Sequence, residues 1–491
     1  MTGRPTDARL ITGASLAVII GLGAAIRAWA MGGLEFGLGS DDAGYVAVAQ
    51  NLAGGTLPDG EAQWFGARAA FLWPVALVFR VLGADDYTAV AWPFACSLLA
   101  ILAAFLVARE LVGRRPALVA AGLVAFAPID VLWATRLRPD AVMPALVALA
   151  VWAALRARRS ERPWAWLLAA GALTGLAWSA RETALVMIPV VAVAAWPAVR
   201  GAWRGAWAYV GGLALVPATL VVVFAFAGRP LWPLTTTAGA GSFRSPAAGW
   251  DATTAYLAQM VTAVGDPRSP LFLMLPLVLI AASVALVRHD QAAILPAAWL
   301  AWAFAYLELG TLVSVDKPLR FLTLLTVPAA LLVAIALDGR LSPLLVPLLA
   351  VVAVVVIAPR TAAPAREGNV ALVSSVARAM RDLPRAPVLA EDYVWWAKLG
   401  AFLPAGTLPV RRAVDPAYLS IDQRAAARRL EPLPDLAAYR GGYVVTGPVR
   451  RTSGWPSNWG VFRERIRRQV RAGDLTPVTR VGDATVWRWT P

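Results

Sequence analysis

About eleven stretches of this chain are apolar, most over roughly 17 to 23 residues, the length a helix needs to cross a ~30 Å hydrocarbon core. Lipid offers the backbone no hydrogen-bond partner, so such runs are expected to be helices that satisfy their own polar groups. The chain's 491 residues are 59% hydrophobic and 15% charged, with a mean hydropathy of +0.62. Soluble domains lie nearer half apolar and a quarter charged. The expected fold class is a polytopic α-helical membrane protein.

The first run, Leu10 to Ala30, follows Arg4 and Arg9 and reads as a retained signal anchor. Further spans are expected at Thr88–Val107, Pro116–Thr135, Ala141–Leu155, Trp164–Ala180, Thr183–Val199 and Ala206–Ala227. Four more follow at Leu271–Val287, Ala292–Leu309, Phe321–Leu337 and Leu341–Ala358. With a cytoplasmic N-terminus, every inside loop is basic: Arg109, Arg114 and Arg115; Arg156 to Arg162; Arg200 and Arg204; Arg288; Arg340. An odd number of crossings then places the C-terminal segment outside the cytoplasm.

Residues 1–359 read as the membrane domain. Its first outside loop, 31–87, holds two apolar pieces, Tyr45–Leu52 and Ala69–Leu82, expected to lie in the interface rather than to cross it. From Arg360 the chain becomes charged and alternating, and 360–491 reads as a small extracytoplasmic α/β domain. Strands are expected at Ala386–Ala390, Gly442–Thr446 and Ala484–Trp489, and helices at Val370–Asp382 and Val461–Arg471. This segment carries 21 Lys and Arg against 11 Asp and Glu, most of the net charge of +15. It would face either anionic lipid headgroups or an anionic acceptor.

Several chemistries are excluded by what is missing. His289 is the only histidine, so there is no zinc site of the HExxH or three-histidine kind. Lys317 and Lys398 are the only lysines, and neither stands in a Walker A context, so no nucleotide is expected to drive the protein. Cys96 is alone, which rules out an intrachain disulfide. Arginine otherwise supplies the basic side, either for bidentate contacts to phosphate or carboxylate or as a mark of a GC-rich bacterial genome. No internal repeat is visible, which weakens transporter folds built from inverted halves.

Four charged clusters fall on the side predicted to be outside. Ser40-Asp41-Asp42-Ala43-Gly44-Tyr45 follows the first span, where Ser40 can cap a helix and an aspartate can complement its dipole. Capping explains one acid more easily than two. Arg136-Leu137-Arg138-Pro139-Asp140 precedes the fourth span, with Pro139 at an expected first helical position. Arg181-Glu182 sits at a tight turn, where a local ion pair is the simplest reading. Asp316-Lys317-Pro318-Leu319-Arg320-Phe321 opens another span, with interfacial anchoring as its alternative.

The order of these features resembles the GT-C superfamily of membrane glycosyltransferases, in particular the branch of protein O-mannosyltransferases and lipid A aminoarabinose transferases. The D-[DE]-x-x-Y pattern at Asp41-Asp42-Ala43-Gly44-Tyr45 and the R-x-x-x-D ending in Asp140 carry the likeness. The Gly175–Arg181 turn and the Arg320–Pro328 stretch extend it in family order over most of the membrane part.

The resemblance implies a GT-C-like fold and an enzyme that moves a sugar, with inversion, from a polyprenyl-phosphate carrier to an acceptor hydroxyl of a lipid, glycan or protein. Asp41 is implied as the base, with Asp42 the alternative within the pair. Arg138, Arg181, Lys317 and Arg320 are implied as cations for the departing phosphate, and Tyr45 and Glu182 as substrate-positioning residues. Asp42 and Asp140 form a candidate site for Mg²⁺ or Mn²⁺, and no zinc is expected. The implied partners are the lipid-linked donor, a cell-envelope acceptor and membrane lipid, not nucleic acid, and the implied setting is the bacterial plasma membrane. The Gly228–Pro270 loop is either a cover for bound substrate or a flexible connector. A lipid or glycan transporter without catalysis is the alternative reading of the same polar face.

Overall fold

The computed structural model describes residues 5–33, 40–58, 66–200, 203–235, 255–266, 269–287, 291–309, 319–337, 348, 351–352, 354–355, 373–390, 403, 410–412, 439–447, 459–482 and 484–490. The chain divides into two units. One comprises Met1–Gly32, Ala67–Phe71 and Trp92–Thr361, and the other Gly33–Gly66, Leu72–Ala91 and Ala362–Pro491. Thus most of the loop 31–87 groups with the C-terminal segment instead of with the membrane helices.

The helices up to the middle of the chain are α1 (Pro5–Gly33), α2 (Ser40–Ala53), α3 (Ala69–Leu82), α4 (Asp86–Val112), α5 (Arg114–Phe126), α6 (Pro128–Ala134), α7 (Val142–Ala157) and α8 (Pro163–Ala180). A 3₁₀ segment, Glu182–Met187, leads into α9 (Ile188–Val199) and α10 (Trp203–Ala225). Then come α11 (Ala255–Val264), α12 (Met274–Val287), α13 (Gln291–Leu309), a 3₁₀ turn at Leu319–Leu322 and α14 (Thr323–Leu337).

Among the described residues, six helices are long and apolar enough to cross a membrane: Thr12–Met31, Asp86–Val112, Glu182–Val199, Trp203–Ala225, Ala292–Leu309 and Leu319–Leu337. Fewer therefore qualify, among the described residues, than the eleven the sequence led us to expect. Val142–Ala157 and Met274–Val287 are apolar but shorter, α8 is diluted by Pro163 and three tryptophans, and most of 341–358 lies outside the described residues. The span expected at Pro116–Thr135 is a broken helix, its halves α5 and α6 bent by 58°. Pro128 is the cause: it disfavours a helical Ala127, which is extended at φ −64° and ψ 117°, and it has no N–H to continue the ladder.

Every residue of α14 from Thr323 to Ile335 is buried, as its all-round apolar sequence requires. It packs against α5, α12 and α13. The helices α8 and α10 pack closely, because glycines let the two backbones touch. A Cβ on Gly171 would lie 2.0 Å from the Tyr209 carbonyl oxygen, and one on Gly212 2.1 Å from that of Leu168. Small residues at such crossings permit dense packing where lipid supplies no hydrophobic drive between helices. Because α8 ends at Ala180, this contact also fixes where Arg181 emerges.

In the second unit, a five-stranded sheet runs in the order β2-β1-β3-β5-β4. Its strands are β1 (Val388–Ala390), β2 (Val410–Arg412), β3 (Tyr443–Thr446), β4 (Leu475–Val481) and β5 (Ala484–Trp489). β1 is parallel to β2 and β3, whereas β5 is antiparallel to β3 and β4. The helices α15 (Val373–Met380) and α16 (Trp459–Ala472) accompany it. Leu389, Tyr439, Val444, Ile466, Leu475 and Trp489 form the core. The sequence reading locates β1 and β3, as short buried runs, and β5, but not β2 or β4, because Val410-Arg411-Arg412 is too short to show a period and β4 is an edge strand with Pro477 in it.

Gly212→Val is expected to lower the unfolding free energy by about 1–3 kcal/mol through overpacking against backbone that has no room to yield. Thermal unfolding in detergent should show the loss, with Gly211→Val, which faces open space, much closer to wild type.

Candidate active site

Within the membrane-helix unit, the predicted cluster residues are drawn together by the ends of three elements. Arg138 and Asp140 lie on the turn between α6 and α7. The Arg138 amide donates to the Arg136 carbonyl at 2.8 Å, and the Pro139 carbonyl accepts from the amides of Val142 and Met143 at 3.0 Å each. Hence Pro139 does not open the helix, as the sequence suggested, but caps it from three residues upstream. Arg181 follows α8 in extended conformation, φ −158° and ψ 130°, and Arg320 sits in the 3₁₀ turn before α14.

These turns meet at Asp140, whose side chain is 2% exposed. An Arg181 guanidinium nitrogen donates to one of its carboxylate oxygens, and Arg320 Nε lies 3.4 Å from the other. Phe321 serves as a shared platform, with the Arg181 guanidinium carbon 4.0 Å and that of Arg320 5.5 Å from the ring centroid. Both distances suit cation–π contacts. The Thr323 hydroxyl donates to the Arg320 carbonyl at 2.8 Å and stands 3.3 Å from that of Asp140, tying the head of α14 to the same turn.

Arg181 and Glu182 do not form the local pair that their adjacency suggests. Glu182 instead accepts two hydrogen bonds from Arg68, Nε to Oε1 at 2.9 Å and Nη2 to Oε2 at 3.0 Å. That fork-to-fork geometry is the strongest form of the interaction. Arg68 is a residue that the sequence reading did not assign to the site; nothing local in the sequence marks a partner 114 residues away.

Tyr256, at the start of α11 within the Gly228–Pro270 loop, is a second residue that the sequence reading missed. Its ring is 1% exposed, and its phenol interacts with Arg181, Arg320 and Asp140. Burial holds the phenol above its ordinary range, against the pull of the two arginines, so it stays a neutral donor. At least this end of the loop belongs to the site. Residues 236–254 and Lys317 lie outside the described residues.

Asp41, Asp42 and Tyr45 occupy the first turns of α2, in the other unit. Asp42 and Tyr45 are buried there, 4% and 3% exposed. For the implied divalent cation, the Asp140 carboxylate is already taken up by two guanidinium groups. No group of three His, Cys, Asp or Glu that could hold a metal occurs among the described residues. The described side chains around Asp140 do not gather a set of ligands for a metal ion.

Breaking the centre of this network leaves buried charge uncompensated. Asp140→Asn is expected to lower stability by about 3–5 kcal/mol, the usual cost of removing one partner of a buried pair. A chemical-denaturation series in detergent would reveal it, and Asp140→Asn combined with Arg181→Met should recover part of the loss.

Residues 69–225 match the sequence model of the family "dolichyl-phosphate-mannose-protein mannosyltransferase". No curated protein matches the chain. Among solved structures it is similar to ArnT from Cupriavidus metallidurans bound to undecaprenyl phosphate, with 14% identity, coverage of 98% of both chains and a TM-score of 0.61. The apo form of that protein gives 0.58 at the same identity and coverage. The oligosaccharyltransferase of Archaeoglobus fulgidus tethered with an acceptor peptide is 13% identical over 89% of this chain and 69% of that one, at a TM-score of 0.48. The chain has the fold of that ArnT structure, and over residues 69–225 it matches the sequence model of the dolichyl-phosphate-mannose-protein mannosyltransferases.

Proposed function

We propose that the chain is an inverting glycosyltransferase that takes a sugar from a polyprenyl-phosphate carrier and transfers it to an acceptor hydroxyl outside the cytoplasm. The supporting observation is the arginine cluster around Asp140: Arg181 and Arg320 are held by one carboxylate and one aromatic ring, with the Arg68–Glu182 pair at the neighbouring residue. Fixed cations in a buried site need little reorganisation when charge develops on a leaving group. The undecaprenyl phosphate in the ArnT structure is a ligand of the same chemical class.

The reaction needs three things from the protein. The acceptor oxygen attacks the anomeric carbon from the face opposite the phosphate, so the configuration inverts. The bond from that carbon to the phosphate oxygen breaks, and the oxygen leaves with the electron pair, facing Arg138, Arg181 and Arg320, with Lys317 and Arg68 as further cations. The hydroxyl proton passes to a carboxylate, which we assign to Asp41, with Asp42 and Tyr45 on the same helix and Glu182 positioning the substrates. The acceptor class is a cell-envelope lipid, glycan or protein, and the setting a bacterial plasma membrane with the C-terminal unit outside.

Purified protein in detergent, offered a panel of polyprenyl-phosphate sugars with cell envelope as acceptor source, should release polyprenyl phosphate in a sugar-dependent way. Asp41→Asn should slow release by about 10²–10⁴-fold, the usual contribution of a general base. Arg320→Ala should slow it by about 10²–10³-fold, the range for losing one charge-stabilising donor. No release from any donor would sink the proposal.

A further inference from the structure

Arg27 lies within the first membrane span, near its C-terminal end, and is 0% exposed. An ionisable group inside a span is costly and calls for a named partner. Its guanidinium donates from Nε to the Ser97 hydroxyl at 2.9 Å, and from Nη1 to the carbonyls of Ala125 at 2.7 Å and Gly23 at 3.1 Å; Nη2 lies 3.5 Å from the carbonyl of Val124. Val124 and Ala125 are in the last turn of α5, where the break at Pro128 frees carbonyls that an unbroken helix would bond. A cation there also meets the negative end of the half-helix dipole. Across the break, Asp130 stands in the first turn of α6, where the charge of Arg27 acts on its carboxyl.

This cluster is joined to the proposed active site. Asp130 and Asp140 line the same small cavity, together with Ser97, Trp133, Pro144 and Thr323. Nine residues lie between the two aspartates, through the rest of α6 and the turn that carries Arg138. We propose that Arg27 is a positioning residue for the transfer reaction. By clamping the open end of α5 and balancing Asp130 at the start of α6, it sets the angle of the broken helix and so where Arg138 and Asp140 stand. The assignment rests on the proposed glycosyltransferase activity.

Three variants separate positioning from simple support. Arg27→Lys keeps the charge but cannot serve hydroxyl and carbonyls with one fork. Arg27→Met leaves Asp130 unbalanced. Arg27→Met with Asp130→Leu removes both charges and should regain wild-type thermal stability in detergent, as buried pairs replaced by apolar residues do. In Arg27→Lys and in the double variant, at near-wild-type Tm, kcat for polyprenyl phosphate release should fall roughly a hundredfold, as about 1 Å of misplacement does, while KM for the donor moves less than about threefold. Wild-type kcat in either variant overturns the inference. So does a loss of kcat that tracks the loss of Tm across all three, which makes Arg27 a structural residue alone. Failure of the wild type with every donor is a separate result, because it removes the activity and not the clamp. Stabilisation of the wild type by added undecaprenyl phosphate, diminished in Arg27→Lys, reads the positioning effect without turnover; equal stabilisation in both also overturns it.

Discussion

A carboxylate buried at 2% exposure among membrane helices is the constraint on which the membrane-helix unit turns. Asp140 is tolerable there only because two guanidinium groups approach its two oxygens. Those guanidiniums arrive from separate elements, so satisfying one charge fixes three chain segments at once. Arg181 comes off the end of α8, whose position is set by glycine-mediated contact with α10. Arg320 comes from the turn before α14, which is buried on every side. The rigid helices thus hold the cations, and the cations hold the turns.

Much of this was visible in the sequence, but unevenly. The apolar runs announce helices because lipid leaves the backbone no other option. The Arg138/Asp140, Arg181/Glu182 and Arg320 clusters are visible as charges at the ends of such runs. What the sequence hides is pairing. Arg181 beside Glu182 suggests a local contact, yet each reaches a different partner, 41 and 114 residues away. Nothing in a periodic pattern records such distances. Arg27 was passed over for a similar reason: one arginine in an otherwise apolar span looks like noise until Ser97 and the open carbonyls of α5 are found around it. The Ala127-Pro128 step, by contrast, is a local signal for the break, which the reading of a single Pro116–Thr135 span overlooks.

The second unit obeys a different logic. Its sheet has short apolar strands and an ordinary apolar core, so β1 and β3 are legible as buried runs and β5 by its alternation. Five of its arginines lie on α16, where Arg467 and Arg471 are each 69% exposed and paired with Glu464. Exposed pairs of this kind contribute little to stability. The charge there is available to the surroundings, unlike the arginines around Asp140, which are committed to the interior.

The spacing of the partners along the chain also bears on how the protein is made. Asp140 and Arg181 would enter the membrane early in synthesis, while Arg320 is added only about a hundred and forty residues after Arg181, at roughly 5–20 residues per second. For several seconds the nascent bundle would hold Asp140 with one of its two cations, and Glu182 already matched to Arg68. A chain interrupted between α10 and α14 is thereby left with an incomplete charge balance and without the buried helix that closes the core. Such a fragment would be a natural target for membrane quality control, so the same ion pairs that organise the finished protein also mark the unfinished one.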